Sequence, residues 1–529
     1  MDAANFEERL RALEDRFTVR IAELERERDE YKKLVVLLQE QNERLKRGLL
    51  GQKAERLPKN DAQLSLSILN LMLGGEASEG ADLLENNDEQ TIPEHTRKKP
   101  VRKPLPDSLP RVPIEMLPPE VQREGLDAFE LIGTETREVL EHRSASKVVV
   151  QLVYKKFVRK DRDRNDATQV LVAPAPELPI ERGLAGPSML ADTIVRRWQD
   201  HQPLNRLEGI YARDGLDIAK STICTWHDTL ADLVAPLIAE MFADAYRAPY
   251  LCLDATGVLV LAKEQCRKGH FWVLVAPEKH VLYGYSKRHD SAAVDQLLGD
   301  YQGYLVADAH AVYDHLYRTG DVIEVACWAH CRRYHFQSLA SDPERAKVAL
   351  SHIAALFKIE RSIAGAPRKK KEEVRRAKSR PIVDRFFEWC DTEAQHVLDE
   401  SPISKAIGYA RNQRVALRRF LDDGRLPIHN NISELNLRRE VLGRRNWMFV
   451  GSDDGARVNT VFVTLLASAR MHNIEPLGYL RDLFCLLPSW PRNRLLELAP
   501  AYWQQTFEHA ETQEKLASNI FRRVVLSPA

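Results

Sequence analysis

A chain of 529 residues is too long for one compact core, so several folded units are expected. With 44% hydrophobic and 29% charged residues it has the balance of an ordinary globular protein, and no run of about eighteen apolar residues is present to form a membrane-spanning helix. Lys+Arg and Asp+Glu are equal at 77 each, so net charge says nothing about nucleic acid. Local basic runs carry that question instead, at 95–103 (HTRKKPVRK), 155–164 (KKFVRKDRDR), 368–380 (RKKKEEVRRAKSR) and 438–445 (RREVLGRR). Each run alone also fits an ordinary solvated helix face or linker. Seven irregularly spaced cysteines, and a start (MDAANFEERL) without a signal pattern, point to a reducing, cytoplasmic setting with no membrane partner.

Between Leu10 and Leu49 the apolar residues keep a seven-residue register. Phe17, Leu24, Tyr31, Leu38 and Leu45 form one seam and Ile21, Val35 and Leu49 the other, with Arg28 and Asn42 also on the second. The pattern predicts a coiled coil over residues 8–50 and a parallel homodimer, Asn42 finding its twin across the axis; one amphipathic helix packed on its own domain is the other reading. Residues 51–118, poor in aromatics, acidic and then basic and Pro-rich, are expected to be a flexible linker. A small β-containing module with a second linker is expected over 119–187, its strands within 136–160.

Three helical segments are predicted within 188–241: 189–200, 203–211 and 219–230, the last two parted by Asp214 and Gly215. That is helix-turn-helix spacing, with Leu204, Leu207 and Ile210 packing on Ile223 and Trp226 and with Lys220, Ser221, Thr222 and Thr225 left to face a major groove. A helical hairpin that never touches DNA fits the local sequence equally well.

From Tyr250 the pattern changes to short strands: YLCLDATGVLVLAKE, GHFWVLVAPEKHVLYGYS, GYLVADAHAVYDHL and VIEVACWAH. Two of these place an aspartate in an apolar run. Asp254 interrupts one and Asp308 ends another, which costs several kcal/mol unless a cation or hydrogen bonds compensate. One such residue suits a cap or turn; two on one sheet point to metal. A third acid, Glu434, lies in the first turns of a helix that Asn431 or Ser433 would cap, where it could face the sheet or pair with Arg438 on the surface. The crowded run CWAHCRRYH, with Cys327, His330, Cys331 and His335, does not match zinc spacing. Trp272, Trp328 and Trp447 suit a core better than a base-stacking surface.

Taken together, LCLDATG, KGHFWVLVAP, GYLVADAHAVYDHL, CWAHCRR, HNNISELNLR, GRRNWMFVGSDDGA and LLASARMHNIEPLGYLRDLF resemble the catalytic region of transposases of the insertion sequence 66 family, over about residues 185–490. The resemblance implies an α/β ribonuclease H-like catalytic domain over 248–470 with a helical insertion at about 340–425. It is preceded by the coiled coil and a helical, helix-turn-helix DNA-binding region over 188–241, and followed by a C-terminal helical region over 471–529. It implies a DDE triad of Asp254, Asp308 and Glu434 holding Mg²⁺ or Mn²⁺, as two ions, for DNA cleavage and strand transfer at terminal inverted repeats. It also implies DNA as partner, both element ends and target, further assembly of the dimer on DNA, and accessory proteins of the same element. Arg438, Arg439, Arg444 and Arg445 are the phosphate-contacting candidates, and His330, Asn430 and Asn431 belong near the cleft.

Departures from the family pattern are Ala255 for Glu after the first acid, His429 for Asp before the Asn pair, and Leu435 for Arg after the third acid. They leave open a DNA-binding dimer with a weakened centre; a metal-dependent nuclease of the same fold is a separate alternative. The family's Cys pairs behind the coiled coil have no counterpart, since no Cys precedes Cys224, so no zinc is expected there.

Overall fold

The computed structural model describes residues 16–32, 35, 105, 107, 109–143, 146–160, 170–263 and 265–526. Two compact units divide the chain, one of residues 1–102 and 328–424 and a larger one of 103–327 and 425–529.

The larger unit opens with a three-stranded sheet: β1 (Arg111–Met116), β2 (Phe129–Arg143) and β3 (Ser146–Arg159), in the order β1-β3-β2. β2 and β3 form a long antiparallel hairpin, and β1 joins β3 in parallel from Arg111 opposite Val149 to Met116 opposite Tyr154. This strand corrects the end of the expected linker. Pro113 argued against a strand there, but β1 lies at a sheet edge, where a residue without an N–H is tolerated. Its alternate residues Ile114 and Met116 pack on the buried Val139, Val150, Leu152 and Phe521.

Helices α1 (Pro187–Ile194), α2 (Leu204–Arg213) and α3 (Lys220–Ala245) follow, with Gly215 at φ +80° in the turn between the last two. Leu207, Ile223 and Trp226 are buried as a helical hairpin requires. The third helix is far longer than the expected 219–230. Its buried positions Ile223, Trp226, Leu230, Val234, Leu237 and Met241 keep the 3- and 4-residue spacing of one continuous apolar face, running past Pro236. The hairpin is therefore built into this unit through α3 and is not a free-standing reading head.

The main sheet has five strands: β4 (Tyr250–Leu261), β5 (Cys266–Ala276), β6 (His280–Ser286), β7 (Gly303–Ala307) and β8 (Val322–Ala326), in the order β6-β5-β4-β7-β8. The first three pair antiparallel; β7 adds in parallel to β4, and β8 in parallel to β7. Helix α4 (Ser291–Leu298) makes the crossover from β6 to β7, its start capped by Asp290, which accepts from the Ala293 amide at 3.1 Å. After the second unit the chain returns as α5 (Asn431–Trp447) and α6 (Asp453–Met471). α6 covers the edge strand β6, and its hydroxyls take up edge amides: Val281 N–H donates to Ser468 Oγ at 3.0 Å and Tyr283 N–H to Thr464 Oγ1 at 2.9 Å.

The other unit is helical, with helices Trp328–Gln337, Pro343–Ser362, Arg380–Glu393 and Pro402–Asn412 around Trp328, Phe386, Phe387 and Phe420. It starts at Trp328, earlier than the expected 340, because Trp328 is fully buried among these rings and donates its indole N–H to the Leu417 carbonyl at 2.8 Å. The basic run 368–380 lies here and is partly neutralised within the unit. Arg375 is buried against Glu360, and Arg368 and Arg380 pair with Glu372 and Asp422. Residues 16–32 are helical and fix Glu30 to Arg345 at 2.7 Å, while the seam residues Phe17, Ile21, Leu24 and Tyr31 stay exposed. Leu38, Asn42, Leu45 and Leu49, and the basic run 95–103, lie outside the described residues.

Glu141 on β2 is fully buried and caps α1 from outside. Its carboxylate accepts from the Met189 amide in the first turn at 2.7 Å and from the His142 amide at 3.0 Å. Gly186 makes this approach possible, since a Cβ there would collide with the carboxylate. Burial pushes the Glu141 pKa up to about 8, against which the hydrogen bonds pull it down. The folded state therefore holds a proton that the unfolded chain releases above its ordinary pKa of about 4.5, so stability falls as pH rises from there to about 8. In urea melts at pH 5 and pH 8.5, Glu141→Gln should escape a loss on the order of a few kcal/mol that the parent suffers at the higher pH. Parallel pH profiles for the two proteins would contradict this.

Candidate active site

β4 and β7 run in parallel with Tyr250 opposite Tyr304, Leu251 opposite Leu305 and Cys252 opposite Val306. Carrying that register on by two residues sets Asp254 beside Asp308, which is the first residue beyond β7. Two acids far apart in sequence thus fall in the same row, Asp254 in the body of β4 and Asp308 just past the end of β7. Asp254 Oδ1 accepts from the Ala255 amide at 2.8 Å. Tyr313, buried on the turn after Asp308, registers both acids: burial pushes its phenol up, and the Asp308 and Asp254 charges push it further.

A group of histidines that sequence reasoning did not single out surrounds this row. His289 stacks flat on Trp272, with centroids 4.8 Å apart, and meets His310 edge-on at 4.5 Å and His270 at 5.1 Å. Burial holds His289 below the usual imidazole range, with His310 lowering it further and Asp308 pulling the other way. His310, two residues after Asp308 in ADAH, was the visible signal. His270 and His289 could be found only through strand register and the β6–α4 turn.

Glu434 is half-buried in the first turn of α5. The expected caps are corrected: Asn430 holds the cap position, Asn431 is already helical, and Ser433 is buried inside the helix. Asn430 makes no cap bond with its side chain. It is fully buried, donating Nδ2–H to the Leu253 carbonyl at 2.9 Å and its amide to Cys327 Sγ at 3.2 Å. The helix bearing the third acid is thereby pinned to the residue before the first acid and to the end of β8.

At the far end of α5, Arg444 donates to Thr256 Oγ1 at 3.1 Å and to the Gly257 carbonyl, tying the helix to β4 a second time. Arg439 is buried and donates to Gln199. Where phosphate contacts were expected, both tie the helix within the fold, Arg444 through its Nη1 to β4 and Arg439 to Gln199. Arg438 and Arg445 are exposed, as are Lys220, Ser221, Thr222, Thr225 and Asn431. Trp272 and Trp328 are core residues and Trp447 is half-buried. His330 is buried in the helical unit, on the helix Trp328–Gln337.

Among the described residues no group of three or more His, Cys, Asp or Glu side chains is arranged to hold a metal ion, so the triad is not closed as it stands. The donor chemistry nevertheless suits a hard cation, since Asp254 and Asp308 are carboxylates in one row of neighbouring strands and Glu434 starts one turn from the Asn430 pin.

An acidic pair on neighbouring parallel strands, a third acid on a helix pinned beside them and exposed cations on that helix suit an enzyme working on a polyanion, and the comparisons identify the class as transposase. Residues 182–458 match the family described as Transposase IS66 family, 37–114 match Transposase C of IS166 homeodomain, and 464–501 match the IS66 C-terminal element. The chain belongs to the IS66 family of transposases. Among its relatives are two from Sinorhizobium fredii strain NGR234 that carry the names uncharacterized protein y4hP and y4qI. The first is 30% identical over 498 residues, 89% of each chain; the second is 28% identical over 483 residues, 86% of this chain and 87% of the relative.

Asn430→Ala should cost about 1–3 kcal/mol of stability, because it strands the buried Leu253 carbonyl, and Asn430→Asp should fare no better. Chemical denaturation measures this. A variant as stable as the parent would mean that the pin does not hold α5 in place.

Proposed function

We propose that this chain cuts and joins DNA at the ends of its insertion sequence, with Asp254, Asp308 and Glu434 as the acids that hold divalent metal. The observation that carries the reading is the shared row of Asp254 and Asp308 on adjacent parallel strands in a chain of transposase family. The order of the main sheet, three antiparallel strands extended by two parallel ones, supports a ribonuclease H-like fold for it.

Mg²⁺ or Mn²⁺ bound by these acids would supply charge neutralisation and polarise the scissile phosphodiester. Glu434 has three side-chain torsions, so its carboxylate can join the aspartate pair while Asn430 keeps the helix in place. Arg438 and Arg445 contact DNA phosphates from the exposed face of α5. Lys220, Ser221, Thr222 and Thr225, exposed at the start of α3, contact the terminal repeat. Water attack at the element end frees a 3′ hydroxyl, which then attacks a target phosphodiester in line, with no covalent link between protein and DNA. The exposed seam of residues 16–32 and Val35 receives the same seam of a second copy, making the working unit at least a dimer.

A decayed, DNA-binding copy is the second reading, favoured by the open triad and by Ala255, His429 and Leu435. One assay separates them. With Mg²⁺, duplex terminal repeats and a target plasmid, the parent should give nicked and joined products, and Asp254→Asn, Asp308→Asn and Glu434→Gln should each lose activity by at least about 100-fold while still binding DNA. Negligible activity in parent and variants alike would establish the decayed reading; hydrolysis without joining would make it a nuclease.

A further inference from the structure

The loop after α5 holds two apolar side chains out in solvent by a strained backbone. Met448 is 67% exposed and Phe449 38% exposed. Met448 sits at φ +62°, ψ −49°, and the Phe449 amide donates back to the Trp447 carbonyl at 2.7 Å, which closes a three-residue turn of the rare left-handed kind around a side chain that disfavours it. The loop is not slack. The Val450 amide donates to the Leu259 carbonyl and the Leu261 amide to the Val450 carbonyl, both at 2.8 Å, so Val450 is built onto β4. Strain of this sort persists only where surrounding structure enforces it, and here it serves to expose the two most apolar residues of the loop.

Beside the loop opens a cavity of about 740 Å³, lined by Arg197, by Arg206 and Lys220 from the helical hairpin, by Asp228 and Asp454, and by the loop itself. Arg197 lies over the Trp447 ring at 5.4 Å, and its Nη1 is buried without a hydrogen-bond partner. Burial pulls its pKa down to about 10, the mark of a guanidinium short of compensating charge. Cations, carboxylate acceptors and an aromatic wall together match a nucleotide, which brings an anionic phosphate, amino donors and a flat base; a bare anion would have no use for the acids.

We propose that the Met448–Phe449 loop is a wedge that parts the DNA duplex near the cut, and that the adjoining cavity receives the displaced nucleotide. Apolar side chains inserted between base steps unstack them at a cost of a few kcal/mol, which a fitted pocket offsets. β4 sets the scale. From Asp254 to Leu259, where the loop is fastened, five residues of strand span about 17 Å, so the displaced nucleotide falls within about five base pairs of the scissile bond.

The inference rests on the proposed DNA-cutting reading but is tested apart from it. Terminal-repeat duplexes carrying 2-aminopurine at successive positions of the last helical turn are bound to the full chain without metal. Fluorescence should rise several-fold at one position near the cut and stay flat with M448A/F449A, whose exposed side chains leave the fold intact, as a melting curve verifies. With Mg²⁺, the double variant should cut paired ends about tenfold more slowly than the parent and mismatched ends at nearly the parent rate. A flat scan with DNA bound, an undiminished rate on paired ends, or an equal defect on mismatched ends would each overturn the wedge. A parent that displaces a base yet cuts neither substrate would overturn the cutting reading alone.

Discussion

The parallel pairing of β4 with β7 is the constraint on which the site depends. It brings together two acids more than fifty residues apart in the chain, one within β4 and one just past β7, beside the buried Leu251, Cys252, Leu305 and Val306. Two like charges about 5 Å apart, the spacing of neighbouring strand backbones, repel by roughly 3 kcal/mol at an effective dielectric near 20. A fold gains nothing in stability from such a pair. It becomes favourable when a cation lies between them, which also helps to bring a polyanion close.

β4 is the spine of everything built around that pair. Its Leu253 carbonyl receives the start of α5 through Asn430, Thr256 and Gly257 receive the end of the same helix through Arg444, and Leu259 and Leu261 hold the loop that follows. One strand thus fixes an acid, the helix bearing the third acid and an exposed apolar loop along a single line. A rigid track of this kind suits a substrate that is itself a long, regular rod.

The local features were legible in the residues alone. Short Val-, Leu- and Tyr-rich runs marked all five strands, the interrupting aspartates pointed to the candidate site, and the seven-residue register marked the N-terminal helix. What escaped was decided by distant partners. Asn430 looked like a neighbour of a cap and is instead a buried tie to a strand far upstream; Arg439 and Arg444 looked like phosphate contacts because nothing nearby in sequence could claim them. β1 was hidden by its proline, and the length of α3 by a proline that a packed helix tolerates. His289 joined the site only because β6 and α4 turn back beside Asp308.

The most direct measurement is a crystal of the chain on cleaved terminal-repeat DNA grown in Mn²⁺, with anomalous scattering used to place the ion. The account predicts Mn²⁺ density with Asp254 and Asp308 oxygens in its coordination sphere and Glu434 swung in to complete it. Density elsewhere, or a Glu434 carboxylate outside the ion's coordination sphere with DNA in place, would contradict it.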